Sequence, residues 1–223
     1  MYDHRMAITS GSRARPAQTQ AERRDRSEGA LLDAAAEMIC ERGVDGASLA
    51  AIGERAGVSR GLATHYFGSK DTLVATLARR AQDGITASTI ETLAQAEKSV
   101  EEISALDLLR LTVDTYLDLL DDHDADLRAL IVMWGSTFPS RSSVEGMLDA
   151  DRRSYEDWAA LIAKGQAEGS INGGADPDAT AIVLTGLIRG VAALLLTDAN
   201  AIIQPACSNS ARPTPFRSTR PRS

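Results

Sequence analysis

The tightest constraint on this chain lies between Ser48 and Lys70. Two short helical patterns meet there across only three residues, Gly57-Val58-Ser59. Ser48 is a natural N-cap, and Leu49, Ile52 and Ala56 are the inward positions of a helix that stops at Gly57. Ser59 then frees a helix over residues 60–67 to start abruptly, and Gly68-Ser69 breaks it before another begins at Lys70, with Leu73, Val74 and Leu77 on its apolar face. Before this pair, Leu31, Ala35, Met38 and Ile39 repeat at helical spacing in a longer segment read as running from an N-cap at Ser27 to Gly43. Two short helices joined by a three-residue turn and braced by a longer one form a helix-turn-helix pattern. An ordinary helical hairpin is the alternative. Gly53, where two helices must cross closely, and Val58, which plugs the turn, favour the DNA-binding arrangement.

Elsewhere the chain shows no strand alternation, and its glycines and prolines punctuate helical patterns, so the expected fold class is all-α. With 223 residues, 43% hydrophobic and 25% charged, it has the balance of a globular protein. The expected organisation is a flexible basic arm over 1–26 with six arginines, a helix-turn-helix domain over 27–75, a larger helical domain over 76–204, and a disordered basic tail over 205–223. Charge follows the same division. Residues 1–80 hold 12 basic and 10 acidic side chains, residues 81–204 hold 8 and 21, and residues 205–223 hold 4 and none. A mildly basic front end on an acidic body suits a chain whose N-terminal part meets a polyanion.

Successive residues of the helix over 60–67 turn by about 100°. Ala63 and Phe67 share one face and should pack inward, which turns Gly61, Leu62 and His65 outward with Thr64 and Tyr66 on the flanks. Arg60 can donate two hydrogen bonds to a guanine edge, Leu62 can touch a thymine methyl, and His65 can donate to or accept from a base. Gly61 lets a DNA backbone approach. Thr64 and Tyr66 carry hydroxyls suited to phosphates, and Ser48 and Lys70 stand at helix starts whose N–H groups attract phosphate.

The run Ser48-Leu49-Ala50-Ala51-Ile52-Gly53-Glu54-Arg55-Ala56-Gly57-Val58-Ser59-Arg60-Gly61, followed by His65-Tyr66-Phe67-Gly68-Ser69-Lys70-Asp71-Thr72-Leu73, resembles the DNA-binding domain of the TetR family of transcriptional regulators. The resemblance covers roughly residues 27–80, and the His-Tyr-Phe run is similar to the BetI-like subgroup. Thr64 stands where many members have tyrosine, a role that Tyr66 can take over, and Gly53 where many have alanine. The resemblance implies an all-α homodimer, a palindromic double-stranded DNA operator, and repression relieved when a small organic ligand binds the C-terminal domain.

The body reads as a helix from Lys70 to about residue 84 or beyond, then helices over 106–120, 125–138, 143–169 (broken near Gly146) and 177–196. Asp176 and Pro177 open the last of these. Trp158, Leu161, Ile162 and Gly165 on one helix and Leu184, Gly186, Ile188, Gly190 and Val191 on the next suit a two-helix surface that a second copy would complete as a four-helix bundle. The alternative is that both helices are internal core; the family resemblance favours the dimer. Five of the nine aromatics fall between positions 116 and 158. Tyr116, Met133, Trp134 and Phe138 are candidate ligand contacts, and a cationic or aromatic ligand fits them.

No cofactor or metal is expected. The run Asp121-Asp122-His123-Asp124-Ala125-Asp126 lacks the glycine and ligand spacing of a calcium loop and reads as a connection in which Asp124 caps the next helix. Cys40 and Cys207 lack CxxC spacing and suit a reduced cytoplasm. The apolar run over 181–197 holds Arg189 and two glycines, short of an uninterrupted membrane span, and the N-terminus lacks the apolar core of a secretion signal. No GxSxG, P-loop or HExxH motif supports an enzyme. Besides the ligand-responsive regulator, an architectural helical dimer and, further behind, a small helical enzyme remain as readings.

Overall fold

The computed structural model describes residues 19–136 and 141–202 and is all-helical there. The helices are α1 (Gln20–Gly46), α2 (Leu49–Arg55), α3 (Arg60–Phe67), α4 (Lys70–Gln95), α5 (Ala105–Asp121), α6 (Ala125–Ser136), α7 (Arg141–Glu168) and α8 (Pro177–Ile202), with a 3-10 turn at Val100–Glu102.

The start of α1 corrects the sequence reading. Its cap is Thr19, not Ser27. The Glu22 amide donates to Thr19 Oγ1 at 3.2 Å and the Thr19 amide donates to Glu22 Oε2 at 2.9 Å, a reciprocal capping box. Ser27 lies inside the helix, donating to the Arg23 carbonyl at 2.9 Å. The helical path fails at Gly43, whose φ of 71° is open to glycine at no steric cost. Ser48, Ser69 and Ser104 cap α2, α4 and α5 by accepting the amides of Ala51, Thr72 and Asp107. Asp124 Oδ1 accepts the Leu127 amide at 2.8 Å, and Asp176 Oδ1 accepts that of Ala179 at 3.1 Å. The acidic loop therefore serves as a helix start, as expected. Helix α7 runs unbroken through Gly146, and α4 extends past residue 84 to Gln95. The 125–138 segment is helical to Ser136.

The packing explains why α1 and α4 are so long. Helix α1 lies chiefly on α6, and α4 on α7, α6 and α5. The core is continuous through these contacts. Leu31, Ile39, Ile52, Ala63, Leu73 and Leu77 belong to the same cluster as Leu127, Leu130 and Met133. Burying each such leucine contributes about 1.5–3 kcal/mol. At the junction Arg80 of α4 donates to Asp33 of α1 at 2.8 Å and to Asp126 of α6 at 2.5 Å. Cys40 donates its thiol to the Ala125 carbonyl at 3.6 Å, and burial pushes that thiol's pKa up. A smaller cluster of Ala159, Ile162 and Ala181 joins α7 to α8.

Candidate nucleic-acid interface and body cavity

The front site is built by two caps and a turn. Gly57 has φ 69°, and the Val58 amide donates to the Gly53 carbonyl at 3.0 Å, closing the turn between α2 and α3. Val58 and the buried Gly53 lie on its inner side. Arg55 at the end of α2 grips Glu41 of α1 through both oxygens, at 2.8 and 2.7 Å. This pair holds Glu41 below the usual carboxylate range, chiefly through the hydrogen bonds from Arg55.

Helix α3 divides as its periodicity requires. Ala63 is fully buried and Phe67 nearly so, while Gly61, Thr64 and His65 are exposed. No atom lies within 4 Å of where a Cβ on Gly61 would stand, so its outer face is open. Leu62 is half-buried rather than fully outward. Tyr66 is half-buried against the core, with the Arg24 guanidinium 5.7 Å from its ring centroid and His65 edge-on at 6.0 Å. Arg60 opens α3, and its side chain lies outside the described residues. Ser48 is exposed and Lys70 half-buried, each at a helix start. Sequence reasoning missed Arg24. Residues 20–26, read as part of a flexible arm, are the first turns of α1 and bring the exposed Arg24 beside Tyr66 of α3. The signal was present as Thr19-x-x-Glu22, a capping-box spacing.

Behind this site, the body encloses a cavity of about 520 Å³ bounded by α4, α5, α6, α7 and α8. Tyr116 and Trp134 line it, as expected of a ligand site; Met133 does not, being fully buried in the core, and Phe138 lies outside the described residues. Trp158, Leu161 and Ile188, read from sequence as dimer surface, also line it. Among its polar lining residues is Arg189. It donates to Asp151 Oδ1 at 2.5 Å and to the Tyr155 hydroxyl at 3.2 Å, and its guanidinium lies 3.9 Å from the Trp134 ring centroid. Trp134 Nε1 also donates to Asp151, at 3.3 Å. A lone arginine in an apolar helix needs such a partner, but Asp151 sits on a different helix, 38 residues away. Burial pushes the Tyr116 phenol far above its ordinary pKa, with nearby Arg189 pulling weakly the other way. The hydroxyl therefore stays protonated.

The remaining residues read as dimer surface separate into two sets. Ile162 is almost fully buried within the protomer, and Leu184 packs on its cluster. Gly165 is buried too, and a Cβ there would stand 2.5 Å from Ile171 Cδ1, so its close approach is to the turn after its own helix. By contrast Gly186, Gly190 and Val191 are exposed, on an outer face of α8 shared with Ile182, Val183, Leu187 and Leu194. Helix α8 over Pro177–Thr197 is long and apolar enough to cross a membrane by composition, yet it carries the ion-paired Arg189 and rests on α7. Among the described residues no cluster of three metal-ligating side chains occurs.

A family profile described as "Bacterial regulatory proteins, tetR family" matches residues 31–77, which hold the core of α1, all of α2 and α3, and the start of α4. The HTH-type transcriptional regulator BetI of Burkholderia ambifaria is 30% identical over 139 residues, 60% of this chain and 66% of that protein. The chain thus aligns with just under two thirds of that relative's length. Over the whole fold, a TetR-family regulator from Rhodococcus sp., itself described as putative, superposes with a TM-score of 0.68 at 23% identity, covering 78% of this chain and 88% of that one. The regulator FadR of Bacillus subtilis, solved in complex with stearoyl-CoA, gives 0.62 at 19% identity, covering 77% and 89%. The helix-turn-helix geometry and the profile match over it make residues 31–77 a DNA-binding domain of the tetR family of bacterial regulatory proteins, and the surrounding helices share the fold of those two solved structures.

Proposed function

We propose that this chain is a ligand-responsive DNA-binding transcriptional regulator, a repressor that releases a palindromic operator when a small organic molecule enters the body cavity. The observation that carries this reading is the division of α3 (Ala63 and Phe67 inward; Gly61, Thr64 and His65 outward) on a frame that shares α4 with the cavity. Helix α3 enters the major groove, with Arg60, Leu62 and His65 toward base edges, Gly61 at the closest approach, and Ser48, Thr64, Tyr66 and Lys70 toward phosphates. Residues 27–75 form the DNA-binding unit and 76–204 the ligand and dimer unit, in a cytoplasmic protein. The second copy packs on the outer face of α8, where Ile182, Val183 and Leu187 are each about 60% exposed and Gly186 and Gly190 leave open space. Helix α4 supplies Gln82, Ile85 and Thr89 to the cavity and starts at Lys70 beside α3, so a ligand that moves α4 changes the separation of the two DNA-reading helices. The ligand then binds one spacing better and DNA the other, a reciprocal coupling.

Gel-shift titration with the DNA upstream of the chain's own gene tests the reading. Arg60→Ala and His65→Ala should each cost about 1–3 kcal/mol at particular base pairs. Lys70→Ala should weaken all sequences alike and lower the salt slope by about one. Unchanged affinity in both base-facing variants, with the fold intact, would overturn it.

A further inference from the structure

The cavity holds two hydrogen-bond donors without acceptors. The Tyr116 hydroxyl is buried and has no partner, although the side chain is only 6% exposed and lines the cavity. Arg189 Nε, from α8 and close enough to Tyr116 for its charge to act there, is likewise buried and unpartnered while its two Nη atoms are engaged by Tyr155 and Asp151. A buried donor left unmet costs free energy, and two that face one cavity form a place for an acceptor that the protein itself does not supply.

The charge around these donors narrows the acceptor. Asp151 already neutralises Arg189, so a second buried carboxylate would add an unpaired negative charge. The exposed charges on the cavity lining, Arg79 and Arg153 against Asp83 and Asp157, balance in sign. A cationic head fits worse. The Arg189 guanidinium already covers the Trp134 ring, the aromatic face nearest the donors, and would repel a second cation there. A cation against Trp158 instead would leave both donors unmet. The threonines of the lining, Thr86, Thr89, Thr112 and Thr185, donate back to carbonyls of their own helices, and Ile85, Leu108, Leu130, Leu161 and Ile188 supply its apolar part.

We propose that this cavity selects an amphipathic ligand with a neutral carbonyl head, of the ester, thioester, amide or lactone class, whose oxygen accepts from Tyr116 and Arg189 Nε while its apolar chain or ring lies along Ile85, Leu108 and Ile188. The assignment rests on reading the cavity as the ligand site. It replaces the cationic ligand that the aromatic clustering suggested from sequence.

The test compares three heads on one chain: methyl octanoate, octanoate and octyltrimethylammonium, titrated calorimetrically into the full-length protein. The ester should bind tightest and the ammonium weakest, with about tenfold or more between them. Tyr116→Phe removes only the orphan hydroxyl, so its thermal midpoint should stay level or rise. Its affinity for the ester should fall about threefold to tenfold, the loss of one neutral hydrogen bond, and its affinity for the ammonium should not move. If the ammonium binds as tightly as the ester, or Tyr116→Phe leaves ester affinity unchanged, the head-group assignment fails while the cavity reading stands. If none of the three binds, the cavity reading fails and the assignment falls with it.

Discussion

The two sites of this molecule are built in opposite ways. The front site comes from one uninterrupted stretch, Ser48 to Lys70, in which caps, a turn glycine and an apolar pair four residues apart fix the geometry of α3 locally. The body cavity draws its walls from α4 to α8, from Arg79 to Arg189, and its polar anchors Tyr116, Trp134 and Arg189 lie on three different helices. Short-range chemistry specifies the first, whereas the second exists only once five helices have packed. Yet they are not independent in energy, because one core runs from Ile52 and Ala63 through Leu77 to Leu130.

That shared core yields the largest expected effect. Leu77 is fully buried on α4, between the two regions. Leu77→Ala should lower stability by about 2–5 kcal/mol, and urea unfolding should remain one transition. Far-ultraviolet circular dichroism and tryptophan fluorescence, the latter reporting only the body through Trp134 and Trp158, should keep coincident midpoints. A front region that unfolds in a separate step would break the claim that the core is common.

A second variant should confine its damage to the body. Asp151 is 7% exposed and holds both Arg189 and Trp134. Asp151→Ala leaves the Arg189 charge without its partner and should cost about 3 kcal/mol. Replacing both partners, as Asp151→Leu with Arg189→Met, should recover most of that loss, since an apolar pair needs no compensation. Ligand-free operator affinity should be close to normal in the double variant. A loss under 0.5 kcal/mol, on the order of a surface ion pair, would show that water already solvates the guanidinium.

What could be read in the sequence follows the same contrast. The all-α class, the turn at Gly57, the inward pair Ala63 and Phe67, and the caps at Ser48, Asp124 and Asp176 each rest on residues within one turn of each other, and each appears in the fold. The start of α1 is equally local in its Thr19–Glu22 box, but residues 19–26 are exposed and bury no apolar face, so periodicity marks the helix only from about Ser27 onward. The body's helices were legible by period, but their faces were not. Ile188 and Val191 are three residues apart on α8, so periodicity groups them, whereas the fold turns Ile188 to the cavity and Val191 to the outer surface. A helix apolar almost all round gives no polar stripe from which to tell these sides apart. Arg189 looked like an interruption of an apolar run, and only the position of Asp151 on α7 makes it the cavity's anchor.

A smaller effect separates what the front region needs for folding from what it needs for binding. Gly61 is helical, exposed and unobstructed. Gly61→Ala should raise stability by roughly 0.5–1 kcal/mol, because alanine gives up less backbone freedom in a helix. If a DNA backbone or base edge approaches there, the added methyl should at the same time cost roughly tenfold in operator affinity, within the 1–3 kcal/mol of a disturbed specific contact. Paired thermal melts and gel shifts on the same variant decide it. A variant that gains stability and loses no affinity would move the closest approach away from Gly61.

The smallest effects are carried by two carboxylates, and they should have opposite signs. Glu41, in the front region, is held below the usual carboxylate range by Arg55. The folded state therefore binds its proton less readily than the unfolded chain. Its contribution to stability is complete above the ordinary carboxylate pKa and disappears as pH falls through the depressed one. Asp126, at the junction with the body, is pushed the other way, since desolvation outweighs the pull of Arg80. Its contribution is complete below the ordinary aspartate pKa and is lost as pH rises through the raised one. Glu41→Gln should therefore flatten the acid limb of a stability-against-pH curve, because a group that loses stability on acidification is gone. Asp126→Asn should steepen the same limb, because a group that opposed that loss is gone. Urea midpoints measured between pH 3 and pH 7, on the order of a few tenths of a molar apart, resolve the two slopes. Slopes that shift in the same direction would mean that the Asp126 carboxylate is solvated in the folded protein, and that water reaches the junction between α1, α4 and α6.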